Sequence, residues 1–191
     1  MNRLAHALNV QVFAFDYRGY GRSEGKPDEA GVLADGEAAL EWLADYSGRP
    51  PQDTILLGRS LGGAVAVHLA AKYQARALIL QSTFSRLTDV AASHYPIFPV
   101  RLLMRNRYDS LARIANYSNP LLQIHGDQDD VVPLHFGQTL YEAAPSPDKQ
   151  LLTLPGRGHN DISIAEYTDN VAQFLNRLLD PTVNDRPLEG S

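Results

Sequence analysis

The stretch Ile55-Leu56-Leu57-Gly58-Arg59-Ser60-Leu61-Gly62-Gly63 constrains the fold more than any other part of the chain. An apolar run of strand type stops at Gly58, and the Ala- and Leu-rich run from Leu61 to Lys72 reads as a helix. Between them lies Gly-x-Ser-x-Gly, so Ser60 sits on a strand-to-helix turn. That turn is sharp, and glycine on both flanks is expected to avoid a collision with the neighbouring strand or helix. Ser60 is thereby lifted to the carboxyl edge of a sheet, with its Oγ exposed and the first free amides of a helix beside it. A Gly-rich turn with an incidental serine has the same letters; the strand before it and the helix after it favour a functional serine.

The rest of the chain alternates strands and helices around that turn. Residues Arg3 to Leu8 read as the end of a helix, and Val10 to Phe15 as a buried strand by their β-branched and aromatic content. Asp16 to Gly25 follows as a Gly-punctuated loop at the strand's carboxyl end, the edge where open α/β sheets bind ligands. Asp28 to Tyr46 has helical periodicity through Val32, Ala39, Leu40 and Leu43, and Gly48-Arg49-Pro50-Pro51 breaks it. Further strands are expected at Thr54–Leu57, Arg76–Gln81, Pro120–Ile124 and Gln150–Leu154, with helices from Pro133 to about Ala144 and from Ile162 to Leu179. Such alternation builds parallel βαβ units, hence a mostly parallel sheet flanked by helices.

From Phe84 to Tyr117 the pattern weakens: Pro96 and Pro99 interrupt short helical pieces, and Tyr95, Phe98 and Tyr108 are scattered among them. An excursion of this length is either a lid over the site or a plain crossover connection. One domain is expected over residues 1–180, with an unstructured tail at 181–191 after Pro181.

Composition narrows the chemistry. The net charge of −5 and the absence of any block of like charge give no electrostatic case for nucleic acid or an anionic membrane. The chain has no cysteine, which excludes disulfides, thiolate catalysis, Cys-ligated zinc and palmitoyl anchoring. No apolar run approaches a membrane span, and the first residues lack the apolar core of a signal peptide, so a cytoplasmic protein with a small-molecule or acyl substrate and no cofactor or metal is expected. Oligomeric state is not legible.

A serine hydroxyl is a poor nucleophile until a base takes its proton, and the usual base is an imidazole oriented by a carboxylate. Strand ends at the edge that carries Ser60 supply both: Asp127, Asp129 and Asp130 after one strand, His159 after the last. Of the six histidines, His6 and His68 read as structural, His94 lies in the excursion, His125 as strand-end packing, and His135 starts a helix. His159 alone sits in a Gly-rich loop at that edge. Among the aspartates, Asp127 and Asp130 could equally cap a turn or a helix.

Four motifs lie at strand ends: Asp16-Tyr17-Arg18-Gly19-Tyr20-Gly21-x-Ser23, Gly58-x-Ser60-x-Gly62-Gly63, His125-Gly126-x-x-Asp129-x-x-Val132-Pro133 and Gly158-His159-Asn160-Asp161. In this order they resemble the α/β-hydrolase superfamily and, more narrowly, the BEM46-like or ABHD-type serine hydrolases, over residues 4 to 179. The resemblance implies an α/β-hydrolase fold and a Ser60-Asp129-His159 triad, with the amide of Leu61 as one oxyanion-hole donor. It implies an ester or thioester substrate; a serine aminopeptidase on the same triad and an inactive hydrolase-fold binding module are the alternatives. Halide displacement is disfavoured, because that branch carries aspartate where Ser60 stands.

By the same resemblance, residue 1 aligns inside the family's domain, after the loop that bears the second oxyanion donor. An N-terminally truncated fold is therefore expected, with a vacant lane between the strand ending at Phe15 and the strand ending at Leu57. Loss of one oxyanion donor costs about 100- to 1,000-fold in turnover, so weak or absent esterase activity is expected of the 191-residue chain alone.

Overall fold

The computed structural model describes residues 5, 6 and 8–179. They fall into two compact units, one of Phe13–Asp161 and the other of the described residues before it together with 162–179.

The larger unit is built on four parallel strands in the order β1-β2-β3-β4: β1 (Ile55–Arg59), β2 (Ala77–Gln81), β3 (Leu121–Gly126) and β4 (Lys149–Leu154). Chain order and spatial order coincide, and each crossover carries at least one helix. The helices are α1 (Glu29–Ser47), α2 (Leu61–Tyr73), α3 (Leu87–His94), α4 (Val100–Leu103), α5 (Ser110–Ile114) and α6 (Leu134–Ala143). Because every strand runs the same way, the segments leaving β1, β2, β3 and β4 emerge at one edge. Ser60, Ser82, Asp127 and Pro155 are the first residues past that edge.

Helix α1 shows how local sequence sets these boundaries. Asp28, extended at φ −134°, accepts the Gly31 N–H at 2.7 Å as N-cap, and Gly48 closes the helix in the left-handed region at φ 65°. Its Val32, Leu33 and Leu40 pack with Ala64, Val65 and Leu69 of α2 and with Phe84, Val90 and Phe136 in one buried cluster. A second cluster joins Leu78 and Leu80 of β2 to Leu121, Ile114, Tyr117 and Leu140. Residues of β2 and β3 such as Leu80 and Leu122 are fully buried, each contributing about 1.5–3 kcal/mol from lost apolar exposure.

The excursion expected at Phe84–Tyr117 contains the three short helices α3, α4 and α5. Its base is closed by an antiparallel bridge between Arg86 and Asp109 and by the Leu87 N–H donating to the Arg107 carbonyl at 3.0 Å. Glu29, in the first turn of α1, accepts from the Arg107 and Tyr108 amides at 2.6 and 3.0 Å and from Arg113 Nη2 at 3.0 Å. Burial acts to raise the Glu29 pKa, but these donors outweigh it and hold the carboxyl below its ordinary value.

Two expectations need correction. Val10–Phe15 belongs to no ladder, and Phe13 and Phe15 are partly exposed rather than buried. The β-type sequence is there, but a strand needs a neighbour to complete its hydrogen bonds. On the other side, β1 pairs with β2 alone. Among the described residues the two segments are not hydrogen-bonded to each other, so the sheet has not closed across the lane between them. Instead Phe13 stacks on Trp42 with centroids 5.2 Å apart, and Trp42 on Tyr46 at 4.9 Å. The second correction concerns boundaries: β1 and β3 run two residues further than expected, to Arg59 and Gly126, and Pro133 precedes the first residue of α6.

In the smaller unit, the helix expected from Ile162 begins at Ile164 and runs as α7 (Ile164–Leu179). The expected tail at 181–191 lies outside the described residues, as do Arg3, Leu4 and Ala7 of the first expected helix end.

Candidate active site

Ser60 occupies the tight turn between β1 and α2 with φ 51° and ψ −121°, a backbone conformation that a side chain makes costly. Three contacts hold it there. Its N–H donates to the Gln81 carbonyl at 3.0 Å, its carbonyl accepts the Gly63 N–H at 2.9 Å, and Thr83 Oγ1 donates to the same carbonyl at 2.8 Å. Just past the end of β2, Ser82 also has positive φ, at 47°. Strain thus collects at one edge of the sheet, as it does at functional sites.

The flanking glycines divide their work differently from expectation. A Cβ at Gly58 would fall 2.7 Å from the Gly63 Cα, and one at Gly63 would fall 2.6 Å from Thr83 Cβ. A Cβ at Gly62 would come no nearer than 3.7 Å, to Tyr17 Oη. The turn therefore requires Gly58 and Gly63, whereas a Cβ at Gly62 would meet Tyr17 at ordinary contact distance. Leu61 opens α2, so its N–H belongs to the first turn, which has no intrahelical carbonyl to meet.

The structure brings Asp129 and His159 together. His159 Nδ1 donates to Asp129 Oδ2 at 2.8 Å and lies 3.1 Å from Oδ1. That bond leaves Nε2 as the ring's free acceptor. Asp129 is itself fixed: Oδ1 accepts the Val131 and Val132 amides at 3.1 and 2.7 Å, and its side chain is fully buried. His125, also fully buried, donates from Nε2 to the Val132 carbonyl at 2.8 Å and sits 3.4 Å from Asp129 Oδ2. Burial holds its imidazole below the usual histidine range, so this is a neutral ring bracing the loop rather than half of an ion pair.

The loops that carry Asp129 and His159 are also tied to each other. Asp127 Oδ1 accepts the Gly156 N–H at 2.7 Å, the Gln128 N–H donates to the Arg157 carbonyl at 2.9 Å, and a Cβ at Gly126 would lie 2.6 Å from the Arg157 carbonyl carbon. Asp127 thus caps the His159 loop, and Asp161 Oδ1 closes the same loop on the Gly158 N–H at 2.6 Å. Asp130 is exposed. Among the other histidines, His68 pairs with Glu37 at 2.7 Å and His94 donates to the Val131 carbonyl at 3.0 Å.

Sequence reasoning passed over Arg59, the variable residue between Gly58 and Ser60. Its Nη2 donates to the His159 carbonyl at 2.8 Å and to Asn160 Oδ1. One residue before the serine therefore grips the backbone of the histidine. The signal available was a charged residue closing an apolar strand, which does not say what it reaches. Among the described residues no hydrogen bond joins Ser60 Oγ to the His159 ring; such bonds are often long without substrate.

A parallel sheet with a strained serine turn after one strand and a bonded Asp-His pair from the loops after two others defines the α/β-hydrolase class. Residues 1–108 match the family model described as serine aminopeptidase, S33, and the chain belongs to this α/β-hydrolase family. It is 43% identical over 173 residues to an uncharacterized protein of Mycobacterium tuberculosis, covering 89% of this chain and 61% of that protein. It is 35% identical over 179 residues to alpha/beta hydrolase domain-containing protein 17C of Homo sapiens, covering 92% of this chain and 52% of that protein. The chain thus spans between half and two thirds of the length of these relatives. Among solved structures it superposes on the Pyrococcus furiosus esterase Pf2001 with a TM-score of 0.76 at 20% identity, covering 94% of this chain and 74% of that one. The Paleococcus ferrophilus monoacylglycerol lipase gives 0.68 at 16% identity, covering 92% and 88%. At these identities the two structures speak for the fold alone. No described helix is long and apolar enough to cross a membrane.

Proposed function

We propose that this chain is a serine hydrolase of esters or thioesters, with Ser60 as nucleophile, His159 as base and Asp129 as its orienting acid. The observation that carries the assignment is the 2.8 Å bond from His159 Nδ1 to a buried Asp129, which fixes the tautomer a general base needs. In the proposed reaction Ser60 Oγ attacks the substrate carbonyl carbon while its proton passes to His159 Nε2. The oxyanion is met by the Leu61 N–H, and the leaving alcohol or thiol takes the proton from the imidazolium. Water then attacks the acyl-enzyme, giving its proton to His159, and the acid departs as Ser60 recovers its hydrogen. No metal or cofactor enters these steps. A cytoplasmic location fits the absence of cysteine.

A fluorophosphonate probe tests the assignment. The expected result is one adduct, on Ser60, lost in Ser60→Ala. Labelling that survives this substitution overturns the nucleophile. No labelling, in this chain and in a version extended to the length of its relatives, overturns the enzyme and leaves the hydrolase-fold binding module. The description of the matching family favours a second substrate class, peptides with a free amino terminus. Comparison of an aminoacyl p-nitroanilide with the matching p-nitrophenyl ester separates the two.

A further inference from the structure

The reaction proposed above gives the oxyanion one donor, the Leu61 N–H, and an oxyanion has more lone pairs than one amide can meet. The loop after Phe15 brings a second polar group to the same place. A Cβ built on Gly62 would lie 3.7 Å from Tyr17 Oη, and Gly62 follows Leu61 in the first turn of α2. Among the described residues no hydrogen bond involves this hydroxyl. It thus stands unbonded beside the free amides that open the nucleophile's helix.

The phenol is held in place from several sides. Its ring meets Phe15 edge-on at 5.1 Å and Tyr20 at 6.5 Å, and it packs on the cluster that joins α1 to α2. The Tyr17 carbonyl accepts the Tyr20 N–H at 2.9 Å, and the next residue is pinned to α1: the Arg18 N–H donates to Asp35 Oδ2 at 2.8 Å and Arg18 Nη2 to Asp35 Oδ1 at 2.7 Å. Before it, the Asp16 carbonyl accepts Ser23 Oγ at 2.9 Å. Burial of the ring, with the Asp35 carboxylate adding to it, holds the Tyr17 pKa above the usual tyrosine range, so the hydroxyl keeps a proton to donate. Gly62 gains a reason here that the sterics of the turn do not give it. A methyl group at that position would touch the hydroxyl and narrow the space open to a substrate oxygen beside it.

We propose that Tyr17 is a catalytic residue, its Oη donating a hydrogen bond to the oxyanion that forms on the substrate carbonyl, beside the Leu61 N–H. The proposal rests on the assignment of Ser60 as nucleophile. As Ser60 Oγ bonds to the carbonyl carbon and its proton passes to His159 Nε2, the π pair of the carbonyl moves onto oxygen, where the Tyr17 O–H meets it. When the carbonyl re-forms, the leaving group departs with the proton from the imidazolium, and Tyr17 retains its own proton throughout. A donor fixed before the charge develops costs no reorganisation when it does.

Tyr17→Phe, which keeps the ring and its packing, tests it in this chain, or in the version extended to the length of its relatives if only that one labels. Phosphonylation of Ser60 by the fluorophosphonate is expected to slow about 100-fold, with the apparent affinity for the probe and the melting temperature nearly unchanged. An aryl trifluoromethyl ketone, whose hemiketal with Ser60 carries an oxyanion, should bind about 100-fold more weakly, whereas the matching trifluoromethyl alcohol, which forms none, should bind as to wild type. Gly62→Ala should slow labelling about fivefold in the wild type and leave it unchanged in Tyr17→Phe, because the methyl group acts through the hydroxyl. An unchanged labelling rate in Tyr17→Phe overturns the role of Tyr17 and leaves Ser60 as nucleophile. Equal weakening of ketone and alcohol, or a Gly62→Ala effect of the same size in both backgrounds, also overturns it, since Tyr17 would then only shape the pocket. No labelling of Ser60 in either length of chain overturns both proposals.

Discussion

The two sides of the sheet are finished to different degrees. On the β3 side every residue of β3 is buried, and the loops bearing Asp129 and His159 are clamped to each other by Asp127, Gly126 and the Arg157 carbonyl. On the β1 side only Gly58 of the strand's five residues is buried, Leu57 is exposed, and Phe13 and Phe15 join no ladder. The Asp129-His159 pair is thus held by contacts between its own two loops. The Ser60 turn is held from its inner flank, by Gln81 and Thr83. Orientation of His159 and exposure of the β1 edge are therefore separable properties, and substitutions at the two places should fail in different ways.

The largest effect is expected at the finished side. Asp129→Asn keeps the shape but removes the acceptor that holds Nδ1–H, so the imidazole can turn its proton toward the serine. Phosphonylation of Ser60 should slow about 10³- to 10⁴-fold with the melting temperature nearly unchanged. A loss under tenfold would mean that Asp129 braces the loop and another group orients His159.

Stability should show the same contrast. Leu122→Ala on β3 empties a fully buried position and is expected to cost about 2–5 kcal/mol in urea denaturation. Leu57→Ala on β1, at 43% exposure, is expected to cost about 0.5 kcal/mol or less. Equal losses would show that something covers the outer edge of β1 in solution.

The sequence was informative where chemistry and spacing coincide. The serine turn declares itself because Gly58 and Gly63 have no room for a side chain, and β2 because its apolar run Ala77–Leu80 suits burial on both faces. Val10–Phe15 misled because β-branched and aromatic content reports only what a segment can do. Whether it joins a ladder depends on a neighbour. Gly62 misled in a related way: its place in the motif invites a steric reason, but a Cβ there would meet only an ordinary contact with Tyr17. Arg59 and Thr83 stayed invisible because their partners, the His159 and Ser60 carbonyls, are backbone atoms, and no residue type in the sequence marks a carbonyl as an acceptor.

Arg59 links the two halves, which makes it the sharper probe. Arg59→Ala frees the His159 backbone while leaving Asp129, His159 and Ser60 in the chain. The rate of Ser60 labelling should fall about 10- to 100-fold through misplacement of the base, with little change in the apparent affinity for the probe. Arg59→Lys, which can reach one of the two acceptors, should recover part of the rate. A loss of stability with an unchanged labelling rate would reduce Arg59 to a structural tie.

A smaller effect than these losses of rate concerns His125, buried and neutral behind Asp129. Its folded pKa lies below the unfolded value of 6.5 because burial disfavours the charged ring. Above that value both states hold the ring neutral and its contribution is complete. As pH falls below it, the unfolded chain takes up a proton that the native ring refuses, so stability drops by up to about 1.4 kcal/mol per pH unit until the native ring titrates. His125→Gln should lower stability at every pH, since it disturbs the bond to the Val132 carbonyl, but should flatten this slope below about pH 6.5. Urea midpoints across that window measure the difference between the two slopes. Parallel slopes would mean that the ring titrates alike in the native and unfolded states, and a slope of opposite sign that its 3.4 Å approach to Asp129 is an ion pair.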